Sequence, residues 1–110
     1  MGSIRRAMDL AERIRPASRS DEEARQLAQL AQAIVMYFDG RVPREKDALD
    51  LMASKFRWGS RTTRRRLQRL ADMGVVRWWR DVADHWTKVW QIVDEDERDA
   101  KPEDASPATA

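Results

Sequence analysis

The sequence predicts a mainly α domain: a three-helix core followed by a two-stranded β-hairpin, with a further short helix ahead of it. Three observations carry this. Apolar residues recur every three or four positions in three stretches between residues 21 and 73. The pattern then changes to two β-branched and aromatic runs, 75–81 and 87–93, separated by five residues. Helix breakers punctuate the boundaries: Pro16, Gly40, Gly59 and Gly74.

In residues 4–15, Ile4, Met8 and Ala11 fall on one stripe with Ala7 and Ile14 beside it, which predicts a short amphipathic helix stopped by Pro16. Residues 16–20 read as a linker. Ser20 and Glu23 have capping-box spacing, and Leu27, Leu30, Ala31, Ile34, Val35 and Phe38 follow at helical period. A helix over 21–38 results, with Gly40 at its C-terminal stop. Val42-Pro43 is extended. The next helix, 44–56, presents Leu49, Met52, Ala53 and Phe56, and Leu51 falls off that stripe. Arg57-Trp58-Gly59 is a turn, and Ser60 is a natural N-cap for a helix over 61–73. That helix turns Thr63, Leu67 and Leu70 inward, with Met73 near its end and Gly74 as its stop. The hairpin of 75–81 and 87–93 then closes over a five-residue loop.

At 110 residues the chain is long enough for one ordinary core. Its organisation reads as an N-terminal amphipathic segment and linker (1–19), the helix–hairpin domain (20–93) and an acidic tail (94–110) with too little apolar matter to fold. No apolar run is long enough to span a bilayer and no hydrophobic signal core opens the chain, so a cytoplasmic protein is expected, nucleoid-associated if prokaryotic. Cysteine is absent and histidine occurs once. Disulfides, thiolate chemistry and multi-histidine metal sites are excluded, so no catalytic residue, metal or cofactor is expected. His85 reads as an exposed loop residue. Glu22 and Glu23 complement a helix dipole and do not form an acid–base pair.

The formal charge of +2 conceals an asymmetry. Residues 1–40 balance, residues 41–93 carry thirteen basic and six acidic side chains, and residues 94–110 carry two basic and seven acidic ones. The tail reads as a solubilising end, with competition against nucleic acid for the basic surface as the sharper alternative. Five arginines stand within residues 61–69, with no acid before Asp72. Such a density of like charge calls for an anionic partner.

Residues 51–62, Leu-Met-Ala-Ser-Lys-Phe-Arg-Trp-Gly-Ser-Arg-Thr, resemble the second helix and turn of the winged helix-turn-helix family. Met52-Ala53 stands in the place of the usual leucine-alanine pair, Phe56 of the last core residue and Trp58 of the apolar turn residue. Thr63, Leu67, Leu70 and Gly74-Val75-Val76 are similar to the third helix entering the first wing strand. Arg57 departs from the pattern, since that family usually has Gly there. The nearest flavour is a repressor like the multiple-antibiotic-resistance regulators, bacterial, archaeal or viral. The resemblance implies a sequence-specific double-stranded DNA-binding transcriptional regulator, with helix 61–73 in the major groove and wing 75–93 on the backbone or minor groove.

Within that frame Arg61, Arg65 and Gln68 point away from the core, and Arg64 and Arg69 flank them. Arginine matches guanine O6 and N7, and glutamine matches adenine. Ser60 and Thr62 are placed for phosphate at the helix N-terminus. Arg77, Arg80 and Lys88 of the wing are candidate backbone contacts, with Arg41 and Arg44 as further ones. A homodimer through helix 21–38 or residues 4–15 is expected. Trp58 and Trp90 are assigned to the core. Alternation puts Trp78 and Trp79 on opposite strand faces, so one is exposed or at an interface, and Trp86 stays open. The alternative function is a winged-helix protein–protein interaction module of a replication, transcription or viral assembly.

Overall fold

The computed structural model describes the backbone of residues 2–93 and side chains from residue 8. The predicted acidic tail lies outside the described residues. The element order is α1 (Gly2–Ala17), α2 (Asp21–Phe38), β1 (Arg41–Val42), α3 (Glu45–Phe56), α4 (Ser60–Asp72), β2 (Val76–Asp81) and β3 (Thr87–Ile92). Among these residues the fold is four helices and a three-stranded antiparallel sheet of order β1-β3-β2.

The α1 helix extends past Pro16, which sits inside its last turn. Its buried residues are Leu10 and Ile14, while Met8 of the expected stripe is exposed. Both stripes have helical spacing, and packing selects the one that meets α2. Arg13 ties α1 to the far end of the chain, donating to the Val93 carbonyl at 2.6 Å and the Gly74 carbonyl at 3.0 Å.

The α2 helix starts as the sequence predicts. The Glu23 N–H donates to Ser20 Oγ at 3.1 Å, but the Glu23 carboxylate accepts from the Arg19 N–H at 2.6 Å, one residue before the usual capping-box partner. At its other end Asp39 takes the left-handed conformation and the Gly40 N–H returns to the Ile34 carbonyl at 3.0 Å. The direction reversal brings Val42 into the core and lets β1 pair with β3, Val42 opposite Trp90. The predicted two-stranded hairpin is thus part of a three-stranded sheet. A two-residue strand has no periodicity of its own; only its partner defines it.

In α3 the buried residues are Ala48, Leu49 and Met52, and Leu51 packs against the core from the side. Ala53 and Phe56, expected on the buried stripe, are exposed. Phe56 sits instead against Trp58, ring centroids 5.7 Å apart. Arg57 holds φ 60°, the left-handed conformation for which glycine is favoured. Its N–H still caps α3 on Ala53 at 3.0 Å. The turn is therefore closed by a non-glycine residue held in a strained conformation.

Val75, Val76, Trp90 and Ile92 join Leu67 and Leu70 of α4 with α1, α2 and Met52 of α3 in one core. The β2–β3 hairpin matches the expected one, with Trp78 opposite Trp90 and Asp81 opposite Thr87. No helix among the described residues is long and apolar enough to cross a membrane.

Candidate nucleic-acid interface

Thr63, Leu67 and Leu70 are fully buried and fix the roll of α4. At 100° per residue, that leaves Arg61, Arg65 and Gln68 as an outward ridge, and all three are exposed. Ser60, expected as the N-cap, is the first helical residue. Gly59 is the N-cap, in extended conformation and with no side-chain cap bond. Ser60 is exposed and Thr62 half-buried beside this helix start.

The five arginines of α4 divide into three kinds. Arg66 and Arg69 turn toward α2. Arg69 pairs with Glu23 at 3.2 Å and donates to the Ala17 carbonyl at 2.9 Å. Arg66 donates to Gln26 Oε1 at 2.9 Å and lies 4.2 Å from the centre of the Trp58 ring. Loss of hydration and then the neighbouring Arg65 charge push the Arg66 pKa down from its ordinary value. Both arginines hold the fold together. Arg64 turns the other way, to Glu45 at 3.2 Å. Arg61 and Arg65 have no hydrogen bond or ion pair among the described residues, so they are the free cations of the ridge.

Between α4, the start of α3 and the β2–β3 hairpin runs a groove of about 610 Å³. Arg44, Lys46, Arg64, Arg65, Arg80 and Lys88 line it, with Glu45 as its one acid. Glu45 is the hinge of this arrangement. Its carboxylate accepts from the buried Trp90 indole N–H at 3.0 Å and from Arg64, and Lys88 Nζ stands 3.9 Å away. A carboxylate in this position orients two cations and satisfies the only polar atom of a buried tryptophan. Lys88 is further held over the rings of Trp78 and Trp90, at 4.1 and 4.7 Å.

Register sorts the hairpin cations by face. Trp78, Arg80, Lys88 and Trp90 share the side that meets α3 and α4, and Arg80 and Lys88 reach the groove. Arg77 is exposed on the opposite side with Trp79, away from the ridge. The loop between the strands is bonded throughout. Asp81 accepts from the Ala83 N–H at 3.1 Å, the Trp86 N–H returns to the Asp81 carbonyl at 2.9 Å, and the Thr87 hydroxyl donates to the Asp84 carbonyl. Arg44 anchors the loop to the start of α3 through Asp84 at 3.0 Å. Trp86 and Val82 stand exposed at the tip, and His85 is exposed beside them. Trp90 is a core residue and Trp58 is half-buried beneath Arg66. Trp78 is 41% exposed and Trp79 half-buried, and register puts the two on different faces.

Glu45 and Lys46 went unmarked in the sequence, where they read as ordinary first-turn residues of a helix. No local signal set Glu45 apart, since Asp47 stands two positions on and Asp50 three further. Among the described residues no group of histidine, aspartate or glutamate is arranged to hold a metal ion. No protein-family model matches this chain, and no curated protein or solved structure matches it either.

Proposed function

We propose that the chain is a winged helix-turn-helix protein that binds double-stranded DNA sequence-specifically and regulates transcription. The observation that carries the reading is the exposed ridge of Arg61, Arg65 and Gln68, where Gln68 donates to Asp72 Oδ1 at 3.2 Å and the two arginines stay free of ion pairs among the described residues, beside a groove lined by six cations. One α-helix fits a B-DNA major groove, and α4 would lie there with Arg65 and Gln68 toward base edges. Ser60 and Thr62 would meet a phosphate at the helix start, and Arg44, Lys46, Arg80 and Lys88 the flanking backbone. The order of helix, turn, helix and hairpin, with β1 as a third strand, is compatible with that architecture. A dimer is part of the proposal. The apolar face of α2 is already buried within the chain, which leaves Met36 and Tyr37 near its C-terminal end as the exposed apolar residues for a second copy.

Selection of bound duplexes from a random pool, followed by titration of the winner, tests the reading. Arg65→Ala should relax base preference, and Lys88→Ala should weaken all sequences alike. If neither variant changes duplex binding, the reading fails. A protein–protein module is the second reading, and the exposed Val82 and Trp86 at the hairpin tip favour it. Binding of the full chain that is indifferent to duplex and to salt would support that reading instead.

A further inference from the structure

The face of the sheet turned away from α4 carries a second cationic site, independent of the groove. Arg41 of β1 and Arg77 of β2 are both register partners of Gln91 in β3. The three side chains form one row across the sheet, with the arginine backbones two strand spacings, roughly 10 Å, apart. Both guanidinium groups lie over the Trp79 ring, at 5.2 and 5.9 Å from its centre. Both arginines are exposed, and neither has a hydrogen bond or ion pair among the described residues. Two like charges gathered on one indole repel, and the ring quadrupole offsets only part of that. The row is therefore left with positive charge that no described side chain neutralises.

A run of opposite charge stands in the same chain. Residues 94–97 are Asp-Glu-Asp-Glu, and they begin three positions after Gln91. The chain's exit is fixed: the Val93 N–H donates to the Val75 carbonyl at 2.8 Å, two residues before Arg77, and the Val93 carbonyl is held by Arg13. From that point the four acids have a reach of roughly 10–15 Å, at about 3.3–3.6 Å per residue. That length covers the row. The groove beside α4 is served from Lys88, at the other end of β3 and on the other face of the sheet.

We infer that Arg41, Gln91 and Arg77 form an anionic-peptide site whose occupant is the acidic run 94–97 of the same chain. Each exposed ion pair contributes little alone, but the tether replaces a bimolecular encounter with a high effective concentration. The consequence is that the run is held on the far side of the sheet from the ridge and leaves the ridge open.

Nitrogen–proton correlation spectra of the full chain test this without any nucleic acid, so its failure is distinct from failure of the DNA-binding reading. The full-length variant D94N/E95Q/D96N/E97Q is compared with the unaltered chain at low salt. The backbone amides of Arg77 and Gln91 and the Nε–H signals of Arg41 and Arg77 should shift, and those of Arg64 and Arg65 should not. Raising salt from about 20 to 500 mM in the unaltered chain should move the same signals the same way, since screening dissolves exposed pairs. In an R41Q/R77Q background, neutralising the run should change nothing at Gln91. Shifts confined to Arg64, Arg65 or Arg80, or no shift at all, would overturn the assignment. So would a row that answers to added duplex and not to neutralisation of the run, because it would then be a nucleic-acid contact.

Discussion

Glu45→Gln tests the groove from its centre. The carboxylate accepts from Trp90, which is 1% exposed, at 3.0 Å, and its own side chain is 18% exposed. A bond to a charged acceptor contributes about 1.5–3 kcal/mol and one to a neutral acceptor about 0.5–1.5, so the amide forfeits about 1 kcal/mol there. Arg64 is 58% exposed at its side chain, and the lost ion pair adds less than about 1 kcal/mol after screening. The sum is about 1–2 kcal/mol, which lowers the melting temperature of a domain this size by about 4–16 °C. Binding should move the opposite way. Removal of the only acid in the groove releases Arg64 and Lys88 toward phosphate. The plot of log K against log salt should steepen by about one unit per cation released, with tighter binding at low salt. Circular-dichroism melting and fluorescence anisotropy of a labelled duplex read the two effects. An unchanged melting temperature would refute the role given to the Trp90 bond. Weaker duplex binding at low salt would refute the view that Glu45 restrains the cations.

Three further expectations concern the scaffold. Ile14→Ala should cost about 2–5 kcal/mol in a denaturant titration, because Ile14 is fully buried in the shared core; a loss under 1 kcal/mol would make α1 an appendage. Arg57→Gly should raise stability by up to about 1 kcal/mol, relief of the left-handed strain being partly offset by the freer unfolded chain, and a lowered melting temperature would show that the arginine side chain holds the turn. Glu23 has its pKa lowered, first by the Arg19 backbone N–H and also by Arg69, against the opposing effect of burial. Its contribution is therefore present above the ordinary carboxylate range and is lost as pH falls through the folded-state pKa. Glu23→Gln should lose stability at neutral pH and converge with the unaltered chain in acid; a gap that persists below that range would mean the carboxylate charge is not what stabilises.

Most helix and strand positions were legible because their signals are local. The Ser20 cap, the Leu27–Leu30–Ile34 spacing and the inward triad of Thr63, Leu67 and Leu70 each need only a few neighbouring residues. What was hidden depends on partners far along the chain. Met8 and Leu10 offer α1 two faces of helical period, and only contact with α2 decides between them. Arg66 and Arg69 look the same as Arg61 and Arg65 in sequence, yet Gln26 and Glu23, forty and forty-six positions upstream, bind them into the scaffold. Arg77 and Arg80 stand three residues apart on one strand, so alternation sends them to opposite faces, and only the packing of the sheet decides which of them meets the groove. The candidate site was therefore recognisable as a basic helix, while its division into structural and free cations required the fold.

The central claim is that the Arg61–Arg65 ridge and the adjoining groove meet duplex DNA. Salt-dependent anisotropy with the selected duplex tests it most directly, with the unaltered full chain beside R61A/R65A. Six or more phosphate contacts give a slope of about −5 or steeper in log K against log salt, which the unaltered chain should show. The double variant should bind at least about tenfold more weakly at low salt and lose selectivity over random duplex, with its melting temperature unchanged, because neither arginine has a bonding partner among the described residues. A flat salt dependence, or equal binding by both proteins, would contradict the account.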